Sequence, residues 1–258
     1  MPELLALAWH LLIDPVGRSG ADNMAIDQAL LDDVAARDDG AAFLRLYRWD
    51  PPCLSFGRNE PALARYDRAA IERLGLDVVR RPTGGRAVWH QHEVTYAVAA
   101  PVAAFGSLRE SYRAIHQRLA RALRHLGVPA TLAPDAGSPG LAGGACFAQP
   151  VGGEVLVGGR KVVGSAQVRE GAAFLQHGSI LLGGSQDVVS RVSRRASAPA
   201  NATSLSAVLG RDLTFQEVTG ALRAAWRADG EDWAQSPSAV LPSCHSAAFT
   251  SPTWTWRR

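Results

Sequence analysis

The stretch "VGGRKVVGSAQVREGAAFLQHGSILL" contains Lys161, and the rest of the 258-residue chain has no other lysine. Of 27 basic residues, one lysine leaves 26 arginines. The difference is chemical: a desolvated amine gives up its proton near neutral pH, whereas a guanidinium holds its proton to above about 12. Strand alternation from Arg160 to Val168 sets Lys161, Val163, Ser165 and Gln167 on one face and Val162, Gly164, Ala166 and Val168 on the other. The small residues at 164–166 leave room for a ligand to come close. The competing reading is a surface lysine that substitution has not yet reached.

Two further stretches carry chemistry. In "RRPTGGRAV" the backbone N–H groups of Gly84 and Gly85 are free to turn towards a carbonyl, carboxylate or phosphate, with Arg80, Arg81 and Arg86 supplying positive charge. The pattern is neither a Walker A loop nor G-x-G-x-x-G, so a plain turn with solvated arginines stays open. In "GGACFAQP" Cys146 sits on a Gly-rich loop fifteen residues before Lys161. A nucleophilic cysteine needs access and a nearby cation, although a lone cysteine is more often a small buried hydrophobe. His90, His92 and His177 lie in or beside neighbouring extended segments, where a histidine is more often a hydrogen-bonded core residue than an acid or base.

The elements that position these residues follow from periodicity and punctuation. Leu4 to Ile13 reads as a first strand, too short for a membrane span. Asn23 to Ala35 reads as a helix capped by Asp22 or Asn23. "AAFLRLYRW" and "CLSF" read as strands, and "PALARYDRAAIERLG" as one helix between Pro61 and Gly75. Val78 and Val79 lead a strand into the glycine loop, and extended chain resumes through "AVWHQHEVTYAVAA". Ser107 and Glu110 open a long amphipathic helix with Leu108, Tyr112, Ile115, Leu119, Leu123 and Leu126 on its apolar stripe. Gly158-Gly159 makes a two-residue hairpin turn, "FLQHGSILLG" is a further strand, and Thr214 with Glu217 opens a late helix. Without a regular βαβ rhythm, the expected architecture is a mixed sheet in an α/β (α+β) fold. Residues 1–232 form the expected domain and 233–258 a Pro/Ser/Trp-rich tail.

Bulk properties narrow the classes. A chain that is 47% hydrophobic buries a full core. A net charge of +3 and a pI near 9.0 permit an acidic protein partner but give no nucleic-acid footprint. Three widely spaced cysteines, Cys53, Cys146 and Cys244, fit reduced thiols and a cytoplasmic location. No membrane partner and no zinc pattern is expected.

"RRPTGGRAVWHQHEVTYAV", followed about seventy residues later by "GRKVVGSAQVREGAAFLQHGSILL", closely resembles the lipoate–protein ligase and octanoyltransferase family, related in fold to biotin–protein ligase. "NMAIDQALL" and "LSFGRNE" match it too. The resemblance implies a large mixed sheet, a smaller sheet and flanking helices around a tunnel for a medium-length acyl chain. It carries Arg81, Thr83, Gly84, Gly85 and His90 onto the acyl-binding loop. It sets Lys161 at the acyl carbonyl, with Gly164, Ser165, Ala166, His177 and Gly178 lining the site. "ACFAQPVGGEVLVGGRK" resembles the cysteine-dependent transferases, which makes Cys146 the nucleophile. The implied reaction moves an octanoyl or lipoyl chain from acyl carrier protein, through a thioester, to a lysine of a lipoyl domain or of the glycine-cleavage H protein, with no cofactor and no metal. The alternatives are an ATP- and Mg²⁺-dependent lipoate ligase and a lipoyl amidotransferase. Departures from the family pattern are Arg86 for a third glycine, Gln91 for a frequent aspartate, and Val94-Thr95-Tyr96.

Overall fold

The computed structural model describes residues 7–134, 152–195, 200–227, 233 and 247–257. The chain opens with β1 (Ala8–Arg18), α1 (Gly20–Ala36), β2 (Ala41–Trp49) and β3 (Cys53–Phe56). Short helices α2 (Ala62–Arg65) and α3 (Arg68–Arg73) lead to β4 (Asp77–Arg80), β5 (Val88–His90) and β6 (Glu93–Pro101). Then come α4 (Leu108–His125), β7 (Thr131–Leu132), β8 (Val155–Val157), β9 (Arg160–Lys161), β10 (Val163–Glu170) and β11 (Ala173–Leu181). Five helices complete the described residues: α5 (Asp187–Arg191), α6 (Leu205–Leu209), α7 (Phe215–Arg227), α8 (Ala247–Thr250) and α9 (Pro252–Thr255).

A five-stranded sheet runs β1-β2-β6-β11-β10. Its β1–β2 pair is parallel, joined by the α1 crossover, and its other pairs are antiparallel, so the sheet is mixed. One three-stranded sheet, β4-β3-β5, holds the glycine loop at its edge, and another, β7-β8-β9, holds Lys161. The expected mixed architecture is therefore what the chain adopts. Apolar side chains on one face of the large sheet, among them Leu46, Val98 and Phe174, pack on Ile115, Leu119 and Leu123 of α4 and Leu222 of α7. The opposite face, with Tyr47, Ala99 and Leu175, receives Met24, Leu30 and Leu31 of α1 and Phe249 of α8. No helix among the described residues is long and apolar enough to cross a membrane.

Local signals placed several boundaries well. Ser107 caps α4 by accepting the Glu110 N–H at 3.2 Å. Ahead of α7, Thr214 Oγ1 accepts the Glu217 N–H at 3.1 Å while the Glu217 carboxylate accepts the Thr214 N–H at 2.8 Å, a reciprocal capping box. The β8–β9 turn is at Gly158-Gly159, with φ of 55° and 74°.

Several expectations need correction. The first strand runs Ala8–Arg18, past the expected end at Ile13. Helix α1 starts earlier than expected and is capped by Ser19, which accepts from Asp22 N at 3.2 Å. Asn23 is buried instead, its amide donating to Arg18 O and Arg48 O. The single helix expected between Pro61 and Gly75 is two. At the break Asp67 caps α3 through Ala69 N and Ala70 N, and its own N–H donates to Val192 O. A distant backbone carbonyl outweighs helix continuity there. The strand expected through Arg160–Val168 divides at Val162: Lys161 pairs with Leu156 in one sheet and Val163 with Ile180 in another.

Candidate functional site

A narrow cavity, about 20 Å³, lies between β10–β11 of the large sheet, α1, and the loop after β4. Seven of the twelve expected positions line it: Arg81, His90, Gly164, Ser165, Ala166, His177 and Gly178. Met24, Tyr47, Trp49, Val88, Thr95 and Ser179 complete the wall, and sequence reasoning had not selected them. Thr83, Gly84, Gly85 and Lys161 stand outside this lining.

The space exists because two neighbouring strands carry little bulk. In the β10–β11 register Gly164 faces Ser179, Ser165 faces Gly178 and Ala166 faces His177. A Cβ on Gly178 would come 2.4 Å from Gly164 O and 2.7 Å from Ser165 Oγ, so any side chain there forces the strands apart. The loop is held as closely. A Cβ on Gly57 would meet Gly85 O at 2.0 Å. The Arg81 guanidinium donates to Gly84 O at 3.1 Å and Arg86 O at 2.9 Å, and to Ser55 O at 2.9 Å and Ser55 Oγ at 2.6 Å. Arg81 thus folds its own loop against β3.

Three buried histidines surround the cavity, and in each both ring nitrogens are engaged. His116 donates from Nδ1 to Gly153 O at 2.8 Å. A carbonyl only accepts, so the proton is on Nδ1 and Nε2 must accept, here from Ser165 Oγ at 2.8 Å. Ser165 then accepts from Tyr96 Oη at 2.6 Å, which accepts from Gln176 Nε2 at 2.9 Å. The polarity of this chain directs the Ser165 proton to His116, away from any ligand carbonyl. His177 donates from Nδ1 to Asp27 Oδ2 at 2.8 Å and accepts from Thr83 Oγ1 at 2.6 Å. His90 donates to Glu93 Oε1 at 2.8 Å, accepts from Ser55 Oγ at 2.6 Å, and stacks on Trp49 at 4.0 Å.

Asp27 is a further residue that sequence reasoning missed. It is fully buried, and it also accepts from Arg45 Nη1 at 2.9 Å and Tyr47 Oη at 2.9 Å. The available signal was an acid set among the apolar positions of "NMAIDQALL". Burying a carboxylate is costly unless such partners meet its oxygens. Burial pulls His177 below its ordinary value, against the Asp27 hydrogen bond and charge.

Burial pulls His116 down to about 4, against its bond to Gly153 O and with the Lys161 charge assisting the fall. The linkage sign follows. The unfolded chain protonates this histidine near pH 6.5 and the folded one only near 4, so its contribution is complete above 6.5 and is lost as pH falls between them. A loss on the order of 3 kcal/mol in unfolding free energy from pH 7 to pH 4 is expected from this site. Denaturant unfolding of wild type and His116→Gln at both pH values checks it, because the variant should lose less.

Lys161 is 2% exposed, and its Nζ lies 2.8 Å from Glu154 Oε2, itself buried. The only lysine of the chain is therefore held by a carboxylate next to His116. Cys146 and Cys244 lie outside the described residues. Cys53 is fully buried, its thiol pushed well above the ordinary range by burial and then by Asp77. Iodoacetamide at pH 8 should label Cys53 in the native protein at least ~100-fold more slowly than in urea, because only the thiolate reacts. Peptide mapping of the labelled chain measures that ratio.

Residues 19–227 match the family described as Lipoyl protein ligase A/B catalytic domain. The octanoyltransferase LipM of Carboxydothermus hydrogenoformans is 43% identical over 71% of this chain and 68% of its own length. That of Symbiobacterium thermophilum is 37% identical over 84% of this chain and 85% of its own. Among solved structures, a bipartite lipoate protein ligase from Thermoplasma acidophilum aligns with a TM-score of 0.72 over 96% of each chain, at 19% identity. A lipoate-protein ligase A bound with ATP aligns with a TM-score of 0.73 over 88% of this chain and 87% of its own, at 21% identity. At those identities the solved structures bear on the fold. The family assignment stands on the sequence match, and it agrees with a mixed sheet whose small-residue strands wall a cavity: this chain belongs to the Lipoyl protein ligase A/B catalytic domain family.

Proposed function

We propose that the chain is an acyltransferase of protein lipoylation that moves an octanoyl group onto a lysine of a lipoyl domain. The observation that carries this reading is the identity of 43% and 37% to octanoyltransferases of the same family. The lining is mostly apolar and includes Met24, Tyr47 and Trp49, the chemistry that would face an acyl chain.

In the finer reading, acyl carrier protein is the donor and Cys146 the nucleophile. The Cys146 thiolate attacks the donor thioester, a new thioester forms, and the carrier thiol leaves with a proton. The amine of the acceptor lysine, having lost its proton, then attacks this thioester. An amide forms, the proton lost from the attacking nitrogen returns to Lys161, and Cys146 is released as thiolate. Lys161 supplies positive charge and a proton to the departing thiol. Backbone N–H groups of the 83–85 loop or of Ser165 hold the tetrahedral oxyanion, at about 3 kcal/mol for each donor. No cofactor enters this scheme, and reduced thiols suit a cytoplasmic enzyme.

The likeness in fold to a ligase solved with ATP keeps one alternative in view. The deciding experiment combines the protein, octanoyl carrier protein and a lipoyl domain without ATP, and follows the mass of the acceptor. Gain of one octanoyl group supports the transferase. Modification that occurs only with free octanoate and ATP would replace it with a ligase.

A further inference from the structure

The motif "SPTWTWRR" has no part in the chemistry above, yet its described residues reach into the molecule. Arg80 is fully buried, and its guanidinium is shared between two strips of backbone. From one side it meets Gly57 O at 2.6 Å, Arg58 O at 3.1 Å and Glu60 O at 2.8 Å. From the other it meets Trp254 O at 2.9 Å, Thr255 O at 3.0 Å and Arg257 O at 3.2 Å. Trp254 Nε1 returns a bond to Arg80 O at 3.0 Å. Trp256 packs on Phe56 at 5.3 Å, and the Arg68 guanidinium covers it from 5.2 Å. Every acceptor of Arg80 is a neutral carbonyl, and burial pulls the group down to about 10. A buried cation so held depends on each of its acceptors. Half of them come from residues 254–257.

Arg80 directly precedes Arg81, the cavity-lining residue whose guanidinium folds the loop through Gly84 O and Arg86 O. Arg81 N also donates to Phe56 O, and Arg58 N to Thr83 O, so the carbonyl strip under Arg80 is the strip that supports the loop. We infer that residues 252–257 brace the acyl site, with Arg80 and Trp254 as positioning residues that fix Arg81 and the Gly84–Gly85 turn without touching substrate. In its reference to acyl substrate this inference rests on the proposed function. In its mechanical part it does not.

The experiment uses the full chain and two conservative variants. Arg80→Lys keeps the charge but lacks the fork that spans both strips. Trp254→Phe keeps the ring and removes only the N–H. Hydrogen exchange of the amides of residues 81–86 should speed up about tenfold in Arg80→Lys and about threefold in Trp254→Phe, with β11 amides unchanged. Steady-state transfer should show KM for the octanoyl donor raised about tenfold and threefold respectively, with kcat within twofold of wild type. A merely structural role would lower the folded fraction and hence kcat at constant KM, and that result overturns the brace. Unchanged exchange in residues 81–86 overturns it as well. Wild-type protein that transfers no octanoyl group would end the function reading alone, and the exchange measurement would still decide whether residues 252–257 hold the loop.

Discussion

Replacing Cys146 by alanine is expected to lower octanoyl transfer on the order of 10³-fold or more, and to abolish the acyl-enzyme. The size follows from the chemistry. An amine in water attacks a thioester slowly, and the enzyme divides the reaction into two thiolate-dependent steps, each needing the same sulfur. Charge and cavity walls left in the variant orient the donor but offer no atom to bond to. Intact-mass measurement after mixing with octanoyl carrier protein reads the result directly. Wild type should gain one octanoyl group, Cys146→Ala none, and Cys53→Ala and Cys244→Ala should behave as wild type. For Cys53 the reason lies in the fold: its sulfur is walled in beside Val79, and a Cβ on Gly20 would approach it to 2.6 Å. Adduct formation that survives in Cys146→Ala would remove the thioester scheme.

Features governed by near neighbours were legible before the structure. The Thr214/Glu217 box, the Ser107 cap and the Gly158-Gly159 turn each depend on residues within a few positions, so their spacing alone predicts them. The wall formed by Gly164, Ser165 and Ala166 was legible for a related reason, since small residues on a strand leave space whatever surrounds them, whereas Gly178 came from the family resemblance. Features decided at long range were not. Asp27 meets His177 across 150 residues, and Arg80 meets Thr255 across 175. Nothing in the immediate sequence of either announces its partner. The division of the strand at Val162 is of the same kind: alternation runs through it unbroken, and the switch comes from pairing with Leu156 on one side and Ile180 on the other. His90 was selected for its motif, but its partners Ser55 and Glu93 were not, because the role of a serine on a buried strand depends on which ring it meets. Sequence therefore identified the residues of the cavity more readily than the hydrogen bonds that hold them in place.

The buried pair of Lys161 and Glu154 leads to the second large expected effect. Lys161→Arg keeps a cation opposite Glu154, so the carboxylate stays compensated and the fold should survive with Tm within a few degrees of wild type. The guanidinium nevertheless fails at the chemistry proposed for the amine. It keeps its proton through the neutral range and presents a planar fork in place of a compact ammonium. Losing a positioned proton donor at the departing thiol costs about 10²-fold or more in transfer, the scale of general acid catalysis. Lys161→Met removes both charge and proton, and here stability should fall as well, by roughly 3–5 kcal/mol, because Glu154 is left as a buried charge without its partner. Changing Glu154→Gln in the same chain should restore most of that stability and none of the rate. The three variants thus separate what the lysine does for the fold from what it does for the reaction. Melting curves measure the first, and single-turnover formation of the acyl-enzyme measures the second. Lys161→Arg that forms the adduct at the wild-type rate would reduce the one lysine of the chain to a structural counter-ion of Glu154.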